Sequence, residues 1–295
     1  MKLPALILLT MISTALPAAE ILFSSRQDGS DFDVYKCLDT GGQRINLTKS
    51  PDFDEFNPRM SPDHSCIAFD ARNSKNIDYS SPRHRIGVMS LADNITRWLT
   101  GDSCNSENPS FSPDGKSLVF SSNTESDSGQ FAVFRCLVDG SGLERLSAYS
   151  PSLQHPAFTP DGEGVLFDFV TESSAGSRCD ICILDIRTGK IHSPTEGLKG
   201  TWFSCPVMSP DGKTLVFAQE HSGTGSSISC IDMKTGNFSQ PLPSWGNVLG
   251  SLSFSPDGRT VAFGSHGRIF IITLSEGKPS MLGESDTYDI CPSLF

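Results

Sequence analysis

Along the chain, short apolar runs alternate with clusters of Gly, Pro, Ser and Asp, the arrangement expected of strands joined by tight turns. One phrase sets the rhythm: Asn57-Pro-Arg-Met-Ser-Pro-Asp-His64, Asn108-Pro-Ser-Phe-Ser-Pro-Asp-Gly115, His155-Pro-Ala-Phe-Thr-Pro-Asp-Gly162, Cys205-Pro-Val-Met-Ser-Pro-Asp-Gly212 and Ser251-Leu-Ser-Phe-Ser-Pro-Asp-Gly258. Their second prolines, or the equivalent one in the last copy (Pro62, Pro113, Pro160, Pro210 and Pro256), are spaced by 51, 47, 50 and 46 residues. Each phrase leads into an apolar run ending in Phe (Phe69, Phe120, Phe167, Phe217, Phe263). A second β-rich run follows, such as Ile86-Gly-Val-Met89 or Ile181-Cys-Ile-Leu184, and then a short last strand such as Arg97-Trp-Leu-Thr100. The unit is therefore four short antiparallel strands.

The turn has a local cause. In Ser-Pro-Asp-Gly the proline presets φ for the first central position of a type I turn, Asp suits the second, and Gly accepts the left-handed conformation that follows. His64 replaces Gly in the first copy, which is tolerable because His is enriched at positive φ. The middle strands are continuously apolar, as in strands covered on both faces. Four-stranded sheets stacked at this period describe the blades of a β-propeller.

The chain ends set the number of blades. Ile21-Leu-Phe23 matches a second strand, Asp33–Asp39 a third and Arg44–Thr48 a fourth, so the N-terminus supplies three strands without a first. Asp289-Ile-Cys-Pro-Ser-Leu-Phe295 resembles the opening of the phrase and supplies the missing one. Six blades follow: five continuous, and one assembled from both termini. The fold class is all-β, a closed six-bladed propeller in a single domain over residues 20–295, with about 46 residues per blade.

Residues 1–19 have the layout of a secretory signal peptide: Lys2, an apolar stretch, then small residues, with cleavage after Ala19 or Ala15. That predicts a periplasmic or secreted protein without stable membrane insertion. The chain carries 23 basic and 34 acidic residues, a net charge of −11, which works against binding through a phosphate backbone. Nucleic acid is not an expected partner.

The Asn-Pro-x-Phe-Ser-Pro-Asp-Gly phrase followed by Leu-Val-Phe resembles the WD-like propeller repeat of the TolB family, over residues 21 to 295. Members of that family carry an α/β domain before the propeller, which is expected to be missing here. The resemblance implies a monomeric, non-catalytic scaffold that engages an envelope protein or a peptide segment. Similar repeats occur in propellers of prolyl oligopeptidase-like peptidases and in oligogalacturonate lyases. The Gly-x-Ser-x-Gly elbow of the former is absent, and the six His residues show no ligand spacing of the latter's kind. The alternative function is a carbohydrate lyase or hydrolase at the channel mouth, where His155 stands beside Gln154, Glu107 and Asn108.

Cys179-Asp-Ile-Cys182 has the spacing of a redox or metal pair, but in a strand residues three apart point to opposite faces. Nine cysteines are an odd number, and Cys37, Cys136, Cys182 and Cys230 sit where a small apolar residue would serve. Asp63, Asp114, Asp161, Asp211 and Asp257 recur in every turn and read as turn formers. The first strand of each propeller blade lines the central channel. That places Glu55, Asn57, Glu107, Asn108, Gln154, His155, Ser204, Cys205, Ser251, Asp289 and Cys291 near the axis, as a polar, acidic ring without Lys or Arg. The expectation is a funnel for a peptide segment, a cation or a basic ligand. No cofactor is expected, although the channel leaves room for a divalent cation.

Overall fold

The computed structural model describes residues 18–27, 31–75, 83–174, 176–200, 202–221, 225–246, 249–283 and 287–295. The signal-like segment lies almost entirely outside these residues. From the N-terminus come β1 (Glu20–Arg26), β2 (Asp33–Leu38) and β3 (Gly41–Asn46). The second blade is β4 (Phe53–Met60), β5 (Cys66–Asn73), β6 (Arg85–Ser90) and β7 (Thr96–Trp98). The third is β8 (Ser106–Phe111), β9 (Ser117–Ser122), β10 (Ala132–Leu137) and β11 (Glu144–Arg145). The fourth is β12 (Leu153–Phe158), β13 (Gly164–Ser173), β14 (Gly176–Asp185) and β15 (Ile191–His192). The fifth is β16 (Phe203–Met208), β17 (Thr214–His221), β18 (Gly225–Asp232) and β19 (Phe238–Trp245). The sixth is β20 (Leu249–Phe254), β21 (Thr260–Ser265), β22 (Arg268–Thr273) and β23 (Lys278–Met281), and the chain closes with β24 (Tyr288–Leu294).

These form six four-stranded antiparallel sheets, one of them ordered β24-β1-β2-β3. The two chain ends are bonded to each other, Glu20 and Phe295 exchanging backbone hydrogen bonds of 3.3 and 2.9 Å. Pairing both ends in one sheet leaves no open blade to template association.

Hydrophobic side chains collect between blades, because each sheet is covered by its neighbours on both faces. The Phe within each second strand (Phe23, Phe69, Phe120, Phe167, Phe217, Phe263) is 0–1% exposed, and each seats in the clusters that fill the joints between blades. Burying one such ring contributes about 1.5–3 kcal/mol, so the repeated Phe is a wedge repeated six times. Gly87 in β6 makes room for it: a Cβ there would lie 3.0 Å from Trp98 and 3.1 Å from Phe69.

The Ser-Pro-Asp-Gly turns form as expected. In each, Ser or Thr donates to the Asp carboxylate two residues on, at 2.5–2.7 Å. That carboxylate accepts the N–H of the last turn residue, and the Ser or Thr hydroxyl accepts the first N–H of the next strand. Successive turns also touch, Gly115 packing on Pro62, Gly162 on Pro113 and Gly258 on Pro210. Cys179 and Cys182 lie well within the ten-residue β14 rather than at a strand start, because that hairpin extends beyond the apolar run. Both are buried, and Cys182 packs into the joint between the third and fourth blades. All nine cysteines carry thiols.

Candidate functional site

The inner strands β4, β8, β12, β16, β20 and β24 share one irregularity. Each has a break of register around the residue pair that opens the repeated phrase: in five of them two residues oppose one on the neighbouring second strand, and in β20 two residues are inserted between Leu249 and Leu252, whose partners are adjacent. Five of these pairs are X-Pro, and their first residues are all left-handed: Asn57 (φ 51°), Asn108 (57°), His155 (52°), Cys205 (53°) and Cys291 (54°). A residue before proline normally prefers extended backbone, and a left-handed non-glycine residue costs on the order of 1–3 kcal/mol. Proline is tolerated because the innermost strand is an edge that needs no N–H on its channel side. The bulge turns these side chains and their N–H groups toward the axis and toward the next blade.

Two aspartates receive those N–H groups. Asp70 in β5 and Asp168 in β13 directly follow the wedge phenylalanines, where the other blades place Ser24, Ser121, Ala218 and Gly264. Asp70 Oδ1 accepts from Asn57 Nδ2 at 2.9 Å and from the Asn108 N–H at 3.0 Å, while its Oδ2 lies 2.7 Å from His84 Nδ1. Asp168 Oδ1 accepts from the Gln154 N–H at 3.0 Å. Its Oδ2 accepts from the Cys205 N–H at 3.1 Å and lies 2.7 Å from His155 Nδ1. Both carboxylates are buried, and each ties one blade to the next. For both histidines burial works against the imidazolium, but the aspartate outweighs it for His84, and Cys205 with Asp168 outweighs it for His155; both are raised.

The structure divides the expected ring. Asn108, His155, Cys205 and Ser251 line an axial cavity of about 180 Å³ to which five inner strands contribute, with Ser110, Ser253 and apolar groups from β12, β16 and β20. Asn57 turns to Asp70 instead, and Gln154 accepts from Asn108 Nδ2 at 2.7 Å. Ser204 and Cys291 sit on inner strands outside the cavity wall. Glu55 is buried, accepts a hydrogen bond from Thr48 Oγ1 at 2.9 Å, and is pushed by burial to about 8, which makes it neutral at pH 7. Burial likewise raises Glu107, which accepts from Asn105 Nδ2 at 2.5 Å. Asp289 is gripped by Arg44 through two hydrogen bonds of 2.7 and 2.9 Å and takes a third from Ser25 Oγ at 2.7 Å.

Glu55 is therefore neutral, Asp289 is matched by Arg44, and burial works against charge on Glu107, while the cavity wall carries a cation. Arg59, two residues past Asn57 on β4, reaches the wall, and its guanidinium donates to Pro58 O at 3.0 Å. Among the described residues no carboxylate stands within ion-pair distance of it. Reading only the residues at the mouth of each inner strand missed Arg59, Asp70, Asp168 and His84. The detectable signal was Phe-Asp, at 69–70 and 167–168, in strands otherwise apolar or small at that position. Among the described residues no three His, Cys, Asp or Glu side chains cluster as metal ligands would, and no helix is long and apolar enough to cross a membrane.

The closed ring and its axial cavity define a six-bladed β-propeller. Within that class the fold is TolB-like. TolB from Acinetobacter baumannii superposes with a TM-score of 0.77 at 22% identity, covering 94% of this chain and 66% of that one. A TolB-type protein from Agrobacterium tumefaciens gives 0.67 at 18% identity, covering 94% and 98%. An oligogalacturonate lyase in complex with manganese gives 0.61 at 15% identity, covering 91% and 74%. No protein-family model and no curated protein matches the chain. This chain spans about two thirds of the Acinetobacter protein, and at these identities the likeness concerns the fold.

Proposed function

We propose that the protein is an exported binding scaffold of the cell envelope, which engages another envelope protein or a peptide segment at the axial ring. The observation that carries this reading is the channel mouth. Buried aspartates and left-handed X-Pro bulges hold Asn57, Asn108, Gln154 and His155 in fixed positions there, a preorganised polar surface on a rigid closed scaffold. The signal-like N-terminus supports export, and the TolB-like fold supports an envelope partner. Ring positions Glu55, Glu107, Ser204, Ser251 and Asp289 belong to the same surface or support it. The lyase likeness is distant and carries no second reading.

The test is affinity capture from the envelope fraction of the native organism, with wild type and an Asn108→Ala/Gln154→Ala variant whose folding is verified by circular dichroism. A partner captured by wild type and lost at least about tenfold by the variant supports the axial site. Equal capture by both places the binding surface elsewhere on the ring, and a partner confined to the cytoplasm removes the envelope reading.

A further inference from the structure

Three side chains from neighbouring blades line up at the cavity wall. Asp168 Oδ2 lies 2.7 Å from His155 Nδ1, and His155 Nε2 lies 3.6 Å from Cys205 Sγ. The carboxylate is held in place, since its oxygens also accept the N–H groups of Gln154 and Cys205. It fixes the imidazole with Nδ1 toward itself and Nε2 toward sulfur, the arrangement by which a base activates a nucleophile. Cys205 sits on the left-handed bulge before Pro206, a conformation that neither its residue type nor the following proline favours. Its side chain and that of His155 face the same cavity as Arg59.

We propose that Cys205, His155 and Asp168 form a nucleophilic triad in the axial cavity, which takes small electrophiles bearing a carboxylate that Arg59 holds. This goes beyond the scaffold reading and does not depend on it. At about 180 Å³ the cavity is smaller than the ~300–1,000 Å³ of pockets for drug-sized ligands. Phe158, Met208 and Leu252 give it apolar lining beside the cation's polar one, which suits a short acyl or alkyl chain ending in an anion.

In the reaction the thiol proton passes to His155 Nε2, and the sulfur electron pair attacks the electrophilic carbon. The S–C bond forms as the bond to the leaving group breaks. A halide departs with its electron pair; an ester alkoxide takes the proton back from His155 and departs as the alcohol, leaving a thioester on Cys205. Asp168, Arg59, Glu107, Cys179 and Cys291 are the titratable and charged groups that face the pair. Burial would discharge the imidazolium, but the facing sulfur and the Asp168 carboxylate outweigh it and hold it well above the ordinary histidine value. By contrast, burial raises the Cys37 and Cys136 thiols to about 11 and those of Cys182, Cys230 and Cys291 to about 12.

The experiment is alkylation of the folded full chain by iodoacetate and by neutral iodoacetamide, with rates at each cysteine read by peptide mapping from pH 5 to 9. Cys205 should react with iodoacetate at least about tenfold faster than with iodoacetamide. Arg59→Met should abolish that preference, bringing the ratio of the two rates at Cys205 to about one. His155→Asn should slow both reactions at Cys205 at least about tenfold at pH 7, because the base that takes the thiol proton has gone. If either variant fails to fold, saturable protection of wild-type Cys205 from iodoacetate by acetate replaces it. Equal rates with the two reagents, unchanged Cys205 rates in His155→Asn, or a Cys205 that reacts only after unfolding would each overturn the proposal.

Discussion

Single buried side chains carry most of what is unusual in this propeller. Glu55 has a folded value near 8 against about 4.3 unfolded. A raised value means that its stabilisation is complete below the unfolded value and is lost as pH climbs through the folded one. Wild type should therefore lose on the order of a few kcal/mol between pH 5 and pH 8 relative to Glu55→Gln, read by urea unfolding at both pH values; parallel curves would contradict a buried neutral acid. Asp70 is the opposite case, a carboxylate matched on both oxygens. Asp70→Ala should cost about 3–5 kcal/mol, as expected when one member of a buried pair is removed. Its second signature is a downward shift of the His84 titration by NMR, because the charge that holds the imidazolium against burial has gone. Asn108, His155, Cys205 and Ser251 were legible as axial residues from their place in the repeat. Asp70 and Asp168 were not, because a Phe-Asp pair in a strand looks like an alternating surface position until the neighbouring blade covers it.

Strands and turns follow local rules closely, and their variation is informative. The turn glycine at 162 has φ 73°, and a Cβ there would meet Pro113 at 3.6 Å, an ordinary contact. Gly162→Ala should therefore cost only the left-handed backbone penalty of about 1 kcal/mol, measured as a small drop in thermal midpoint with an unchanged m-value. The inner strands are where pattern reading runs out. Their X-Pro pairs suggest extended backbone, yet the chain bulges at them, since the bulge lets the Asn108 and Cys205 N–H groups reach aspartates of the preceding blade. Those hydrogen bonds offset the strain and aim the side chains that a flat strand would have pointed elsewhere.

At the scale of the whole molecule, closure is the decisive event. β24 pairs with β1 and buries Leu294 against Ile21 and Phe23. Deleting residues 288–295 should abolish cooperative unfolding of the whole ring. A circular permutant that joins residue 295 to residue 20 through a short linker and opens at the exposed turn near Gly101 should keep its thermal midpoint within about 5 °C. Equal stability of the truncated chain would show that the split blade contributes little. Sequence alone determined the strands, the turns, the six-fold repeat and the split blade, because each is written in local propensity and repeated at a regular spacing. Only the tertiary structure decided the site. Asp168, His155 and Cys205 are separated by up to 50 residues and belong to two blades, and Arg59 comes from a third. Which charges match, which stay buried and which face the cavity depends on side chains that become neighbours only when the ring has closed.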